Sequence, residues 1–292
     1  MKHPVLGGAP LMFFWLLATP SLAEISVTDL AGRIVTLDSP AQRIIALAPH
    51  IVENTFSAGA GNRLVGVVSY SNYPEAAQHI TRVGSHQSWS LEAIVKLKPD
   101  LVLMWSSGNG MKTLPALERL GLKVYVSEPR NLQDIPATIR AIGELAGTQA
   151  SSEPEAQRVE QELAQLAAQY RAAKPVSVFY QVWNKPLQTL NGDHLISDII
   201  ELCGGRNAFG DAASLAPKIN IESVLERDPQ TIVASGMGAA RPEWLDEWKA
   251  YPSLTAVRDN ALFFVNPDHI QRPTARVLLG SRVLCEQLAS VR

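Results

Sequence analysis

The chain has 292 residues, with 26 Lys and Arg against 28 Asp and Glu and a formal net charge of −2. That near-balance excludes the basic stripe on which nucleic-acid binding depends. A hydrophobic fraction of 46% is ordinary for a globular protein, and the length suits two lobes better than one.

The N-terminus reads as a targeting segment. Lys2 and His3 form a short polar start, an apolar run covers 11–17, and Ser21-Leu22-Ala23 offers small residues at a cleavage point. The run is well short of the ~20 residues that span a bilayer. Residues 1–23 are therefore expected to be a cleaved signal peptide rather than an anchor. No Cys lies near the cut, which argues against a lipid anchor. The mature chain is then expected to be free and soluble in an exported compartment, most simply a periplasm.

Two short β-rich runs around Asp29-Leu30-Ala31-Gly32 predict a hairpin. Strand-like runs follow at 44–47, 64–68, 101–104 and 124–126. Helix-like runs lie between and after them, at 52–58, 91–97, 113–120 and 135–146. Such alternation predicts a parallel sheet covered on both faces. Ser152-Glu153-Pro154-Glu155 resembles a capping box, with Ser at the cap and Glu three residues on. Ala156, Val159, Leu163, Leu166 and Tyr170 then recur with 3-4-3-4 spacing until Pro175. This long helix has no strand partner and reads as a rigid connector. The alternation resumes with strands at 176–182, 231–234 and 262–265, and helices at 196–202, 224–226, 244–250 and 274–289. The fold class is α/β: a first lobe over 24–150, a linker helix over 151–174 and a second lobe over 175–292, each lobe a mainly parallel sheet flanked by helices.

One phrase occurs twice. Leu91-Glu92 opens a short helical run that Pro99 closes before an apolar strand, and Ile221-Glu222 does the same ahead of Pro229. The spacing exceeds the ~20–50-residue period of a solenoid and implies two similar lobes with a cleft between them. Each Glu sits in a first helical turn, where the helix dipole favours a carboxylate by ~0.3–1 kcal/mol. That explains each acid alone, but not their equivalence.

In open α/β sheets ligands bind beyond the carboxyl ends of the strands. This rule singles out His50, Tyr73, His86, Trp89, Trp105, Trp183, Asp268 and His269, a set rich in rings and poor in Arg and Lys. It suits a large, flat, partly apolar ligand. Bland readings stand beside these. Trp105 and Trp183 would end strands against the core, Tyr73 before Pro74 would be a turn residue, and Trp89 before Ser90 would be a hydrophobic staple. The histidines would be ordinary loop residues, and no metal site is assigned. Cys203 and Cys285, an even count in an exported chain, read as a disulfide within the second lobe, against the alternative of two buried thiols. No phosphate loop, HExxH or Gly-x-Ser-x-Gly elbow is found in the sequence, so an enzyme is not expected.

Several runs carry a resemblance. They are Val67-Val68-Ser69-Tyr70-Ser71-Asn72-Tyr73-Pro74, Leu91-Glu92 with Leu97-Lys98-Pro99-Asp100-Leu101-Val102, Trp105 with Gly108-Asn109, and Glu201-Leu202-Cys203-Gly204-Gly205. Over essentially the whole mature length the chain resembles the helix-linked substrate-binding proteins of cobalamin and iron-chelate ABC importers, most closely the cobalamin branch. The resemblance implies a corrinoid as transported ligand rather than as cofactor, held between the lobes. It further implies that Glu92 and Glu222 dock onto arginines of a two-fold symmetric inner-membrane permease–ATPase complex, and that the free protein is a monomer. One departure is plain: His86 stands where that branch places a ligand-contacting Trp. This favours haem or an iron-siderophore as the alternative cargo.

Overall fold

The computed structural model describes residues 24–236 and 238–292; the expected signal peptide lies outside the described residues. Strands β1 (Ile25–Thr28) and β2 (Ile34–Leu37) form the antiparallel hairpin. Buried Asp29 shapes its turn, its Oδ1 accepting from the Ala31 and Arg33 amides at 3.0 and 2.8 Å. This is the local side-chain-to-backbone bonding for which Asp is favoured in turns.

Four strands follow: β3 (Ile44–Ala46), β4 (Leu64–Gly66), β5 (Leu101–Trp105) and β6 (Val124–Ser127). They form a parallel sheet in the order β4-β3-β5-β6. A second parallel sheet contains β7 (Val176–Gln181), β8 (Gly205–Asn207), β9 (Thr231–Ala234) and β10 (Leu262–Phe264), in the order β8-β7-β9-β10. Numbered within its own lobe, each sheet runs second, first, third, fourth. The repeat inferred from Glu92 and Glu222 therefore extends to the topology of both lobes, and the α/β reading holds. Strands β6 and β9 are buried throughout, as strands covered on both faces must be.

The sequence missed β8, because Gly205-Arg206-Asn207 has little strand propensity; it forms by pairing at the edge of β7. The long helix also differs from expectation. It spans Gln149–Tyr170 with Pro154 inside, so Ser152 is not its cap. Ser152 is buried instead against the preceding helix, Asp134–Ala146, where a Cβ on Gly143 would fall 1.9 Å from the Ser152 Oγ. Close packing of the two helices takes the residue that local chemistry had assigned to the cap.

Ala156, Val159, Leu163 and Leu166 form the buried stripe of the long helix. They join a continuous core that includes Ile44 and Ile139 on one side and Val178 and Leu288 on the other. Burial of each large aliphatic contributes ~1.5–3 kcal/mol, so this stripe bonds both halves to the helix. The outer faces are covered separately, around Ile94 and Val102 in the first half and around Phe179 and Trp248 in the second. Cys203, at the end of the helix Leu195–Leu202, is bonded to Cys285 in the terminal helix Val277–Ala289, across a sequence separation of 82. Closing a loop of that size contributes ~4–5 kcal/mol in the chain-entropy account. Among the described residues no helix is long and apolar enough to cross a membrane.

Candidate ligand site between the two sheets

Strand order reverses direction between β3 and β5, which is where an open sheet leaves a crevice at its carboxyl edge. Two rings meet there. His50 lies in the first turn of the helix Pro49–Ser57 after β3, and Trp105 ends β5; their centroids are 5.1 Å apart and edge-to-face at 88°. His86 flanks the same indole at 6.1 Å with a 40° tilt. The indole also folds back over Gly108, where a Cβ would fall 1.9 Å from its Cε3.

One side chain holds this wall together. Asn109 accepts from the Trp105 amide at 2.5 Å through its Oδ1, and its Nδ2 donates to the carbonyls of Leu47 at 2.9 Å and His86 at 2.6 Å. A single buried amide thus fixes the end of β5, the exit of β3 and the loop that carries His86.

Opposite this wall stands the second half of the chain. A cavity of about 180 Å³ separates Trp105, Glu128 and Arg130 from His194, Leu215 and Pro273. One side of the cleft is clamped. Glu53, 3% exposed, accepts from Arg272 at 2.7 Å, Arg276 at 3.3 Å and the Thr274 hydroxyl at 3.0 Å. Arg272 also donates to Asn72 at 2.9 Å and pairs with Asp268 at 2.9 Å. The Asn54 amide donates to the Pro273 carbonyl at 3.0 Å.

Electrostatics follow from this burial. Loss of hydration pushes the His50 imidazole down to about 3, with the Arg272 charge and His86 adding to the effect, so the ring is neutral at any ordinary pH. Its Nε2 is buried without a hydrogen-bond partner among the described residues. Burial likewise lowers His194 to about 4, helped by Arg130, and its Nδ1 accepts from the Ile196 amide. Burial raises Glu53 above the usual carboxylate range, against the pull of its arginines and of Thr274. His269 is lowered, by burial first and Arg276 second.

The candidates from sequence are thus divided. His50, His86 and Trp105 converge, and Asp268 stands at the clamp. Tyr73, 48% exposed, lies under the Arg276 guanidinium at 4.2 Å and lines a separate recess with Glu155 and Arg158. Trp89 packs on the core around Ile94. Trp183 donates to the Lys185 carbonyl at 3.1 Å beside a further recess lined by Trp244 and Tyr251. His269 follows Asp268 in the short helix Pro267–Ile270. Glu92 and Glu222 are exposed at equivalent places, in helices capped by Ser90 and Asn220.

Sequence reasoning missed Glu53, Asn109, Arg130 and Arg272, and the cleft is richer in arginine than expected. Arg130 follows β6 and was within reach of the strand-end rule. Glu53 and Arg272 are 219 residues apart, so nothing local signals their pairing.

The chain belongs to the periplasmic binding protein family, which it matches over residues 44–268. It is 37% identical over 249 residues to the vitamin B12-binding protein of Vibrio cholerae, covering 85% of this chain and 90% of that protein. The crystal structure of the periplasmic vitamin B12 binding protein BtuF of Vibrio cholerae superposes with a TM-score of 0.79 at 36% identity, over 86% of this chain and 98% of that one. The periplasmic haem-binding protein RhuT from Roseiflexus shares the fold, with a TM-score of 0.76 at 22% identity, over 86% and 100% of the two chains.

Proposed function

We propose that this protein captures a corrinoid of the vitamin B12 class between its two lobes in the periplasm and delivers it to an inner-membrane ABC importer. The carrying observation is the Trp105 wall at the sheet's switch point, facing the second half across the cleft, in a chain whose near-full-length relatives are named for vitamin B12. An indole face suits a broad, partly apolar macrocycle, and Arg130, Asp193 and His194 suit the amide groups on its edge. The role is capture rather than catalysis, consistent with family membership.

Export depends on cleavage near residue 23, and the free protein acts as a monomer. The lobes are 24–150 and 175–292, joined through 151–174. Glu92 and Glu222 meet the two halves of a two-fold permease; their equivalent exposure and capping support this.

Cyanocobalamin titrated into the purified mature protein, followed by Trp fluorescence and calorimetry, tests the reading. Saturable one-to-one binding is expected. His86, at a position where the cobalamin branch places Trp, favours haem or a ferric siderophore as the second reading. Either of these binding in place of cobalamin would retain the importer role and change the cargo.

A further inference from the structure

The geometry points to His86 as an axial ligand to the metal of the cargo. This rests on the corrinoid reading. Three observations carry it. The His86 ring is half-buried and stands against Trp105, the surface offered to a flat ligand. Its loop is pinned through the His86 backbone carbonyl, which accepts from Asn109 Nδ2 at 2.6 Å, so the mount does not use the imidazole. The other imidazole against the indole, His50, meets it edge-to-face and is only 4% exposed, so it supports the wall.

Among the described residues no group of three or more His, Cys, Asp or Glu side chains is placed to hold a metal ion. A single free imidazole cannot retain a bare transition metal, which takes several protein ligands. It can add to a metal that arrives with its equatorial positions already filled. A cobalt corrinoid is such a metal, with four ring nitrogens in plane and exchangeable positions above and below.

The step is a ligand exchange. The cobalt–water bond breaks, a cobalt–nitrogen bond forms using the lone pair of an imidazole nitrogen of His86, and water leaves. No electron is transferred and the oxidation state of cobalt is unchanged. The site therefore discriminates by axial ligand. A corrinoid with labile water gains a bond, whereas cyanocobalamin, with cyanide on one face and its tethered base on the other, does not.

The experiment compares aquocobalamin, diaquocobinamide and cyanocobalamin on wild-type protein and on His86→Ala, with visible spectra and calorimetry in parallel. The expected result is a shift of the visible bands when wild-type protein binds either aquo form, absent in His86→Ala and restored by added imidazole. Affinity for the aquo forms falls about tenfold or more in the variant, a difference of about 1.4 kcal/mol or more, and this loss exceeds any loss of cyanocobalamin affinity. Aquo forms that bind with unchanged bands, or a shift that survives in His86→Ala, overturn the assignment and leave corrinoid capture standing. Failure of all three corrinoids to bind overturns both.

Discussion

At the scale of single residues, the cleft wall is built on atoms that leave little freedom. Because the Trp105 indole occupies the space of a Gly108 side chain, Gly108→Ala must push the ring toward the cleft. A loss of ligand affinity of about tenfold or more is expected, read by calorimetry, with a small change in melting temperature. His50 carries a pH signature. Its imidazole is held near 3 in the fold against 6.5 when unfolded. Above 6.5 both states are neutral and stability is intact. As pH falls from there toward 3 the unfolded chain takes up a proton that the fold refuses, and stability declines by about 1.4 kcal/mol per pH unit. His50→Phe keeps a ring against Trp105 and removes that slope. Urea denaturation of both proteins at about pH 7 and about pH 4.5 checks it; equal acid loss in the two would refute it.

At the scale of elements, the clamp between the helix Pro49–Ser57 and the segment around Arg272 is the contact most sensitive to one change. Glu53→Ala leaves Arg272 and Arg276 without their buried carboxylate, and removing one partner of such a pair costs about 3–5 kcal/mol. Chemical denaturation should show that loss, and a change below about 1 kcal/mol, the worth of a surface pair, would contradict the account. The packing of the long helix is tested by Gly143→Ala, which should cost about 1–3 kcal/mol through overpacking against Ser152, part of it recovered by adding Ser152→Gly. These same elements show what was legible in advance. The strands, the apolar stripe of the long helix and the cysteine pair follow from periodicity and count. The true start of that helix and strand β8 do not, because tertiary contacts override local preference there. Within the site, His50 and Trp105 were legible because strand ends can be read from sequence. Glu53 with Arg272 was not, since the pairing exists only once two distant segments meet.

At the scale of the whole molecule, the duplicated sheet order places Glu92 and Glu222 in equivalent exposed turns. Glu92→Ala with Glu222→Ala should leave cyanocobalamin affinity unchanged and reduce uptake in cells that depend on this protein. Normal uptake by the double variant would remove the docking assignment. The cleft sets a second constraint. Its cavity of about 180 Å³ is smaller than the ~300–1,000 Å³ of common small-molecule pockets, and a corrinoid is large. Capture must therefore separate the walls or leave much of the ligand outside them, a choice that spin labels on either side of the cleft would resolve on adding ligand.

Asn109 has a consequence on the timescale of descent. It grips only main-chain atoms of Leu47, His86 and Trp105, and main-chain atoms are the same whatever side chain they bear. The loop it holds works as a socket, in which the residue at position 86 can be exchanged without rebuilding the mount. A lineage with such a socket can try new cargoes one substitution at a time, keeping its folding and the rest of its cleft wall intact.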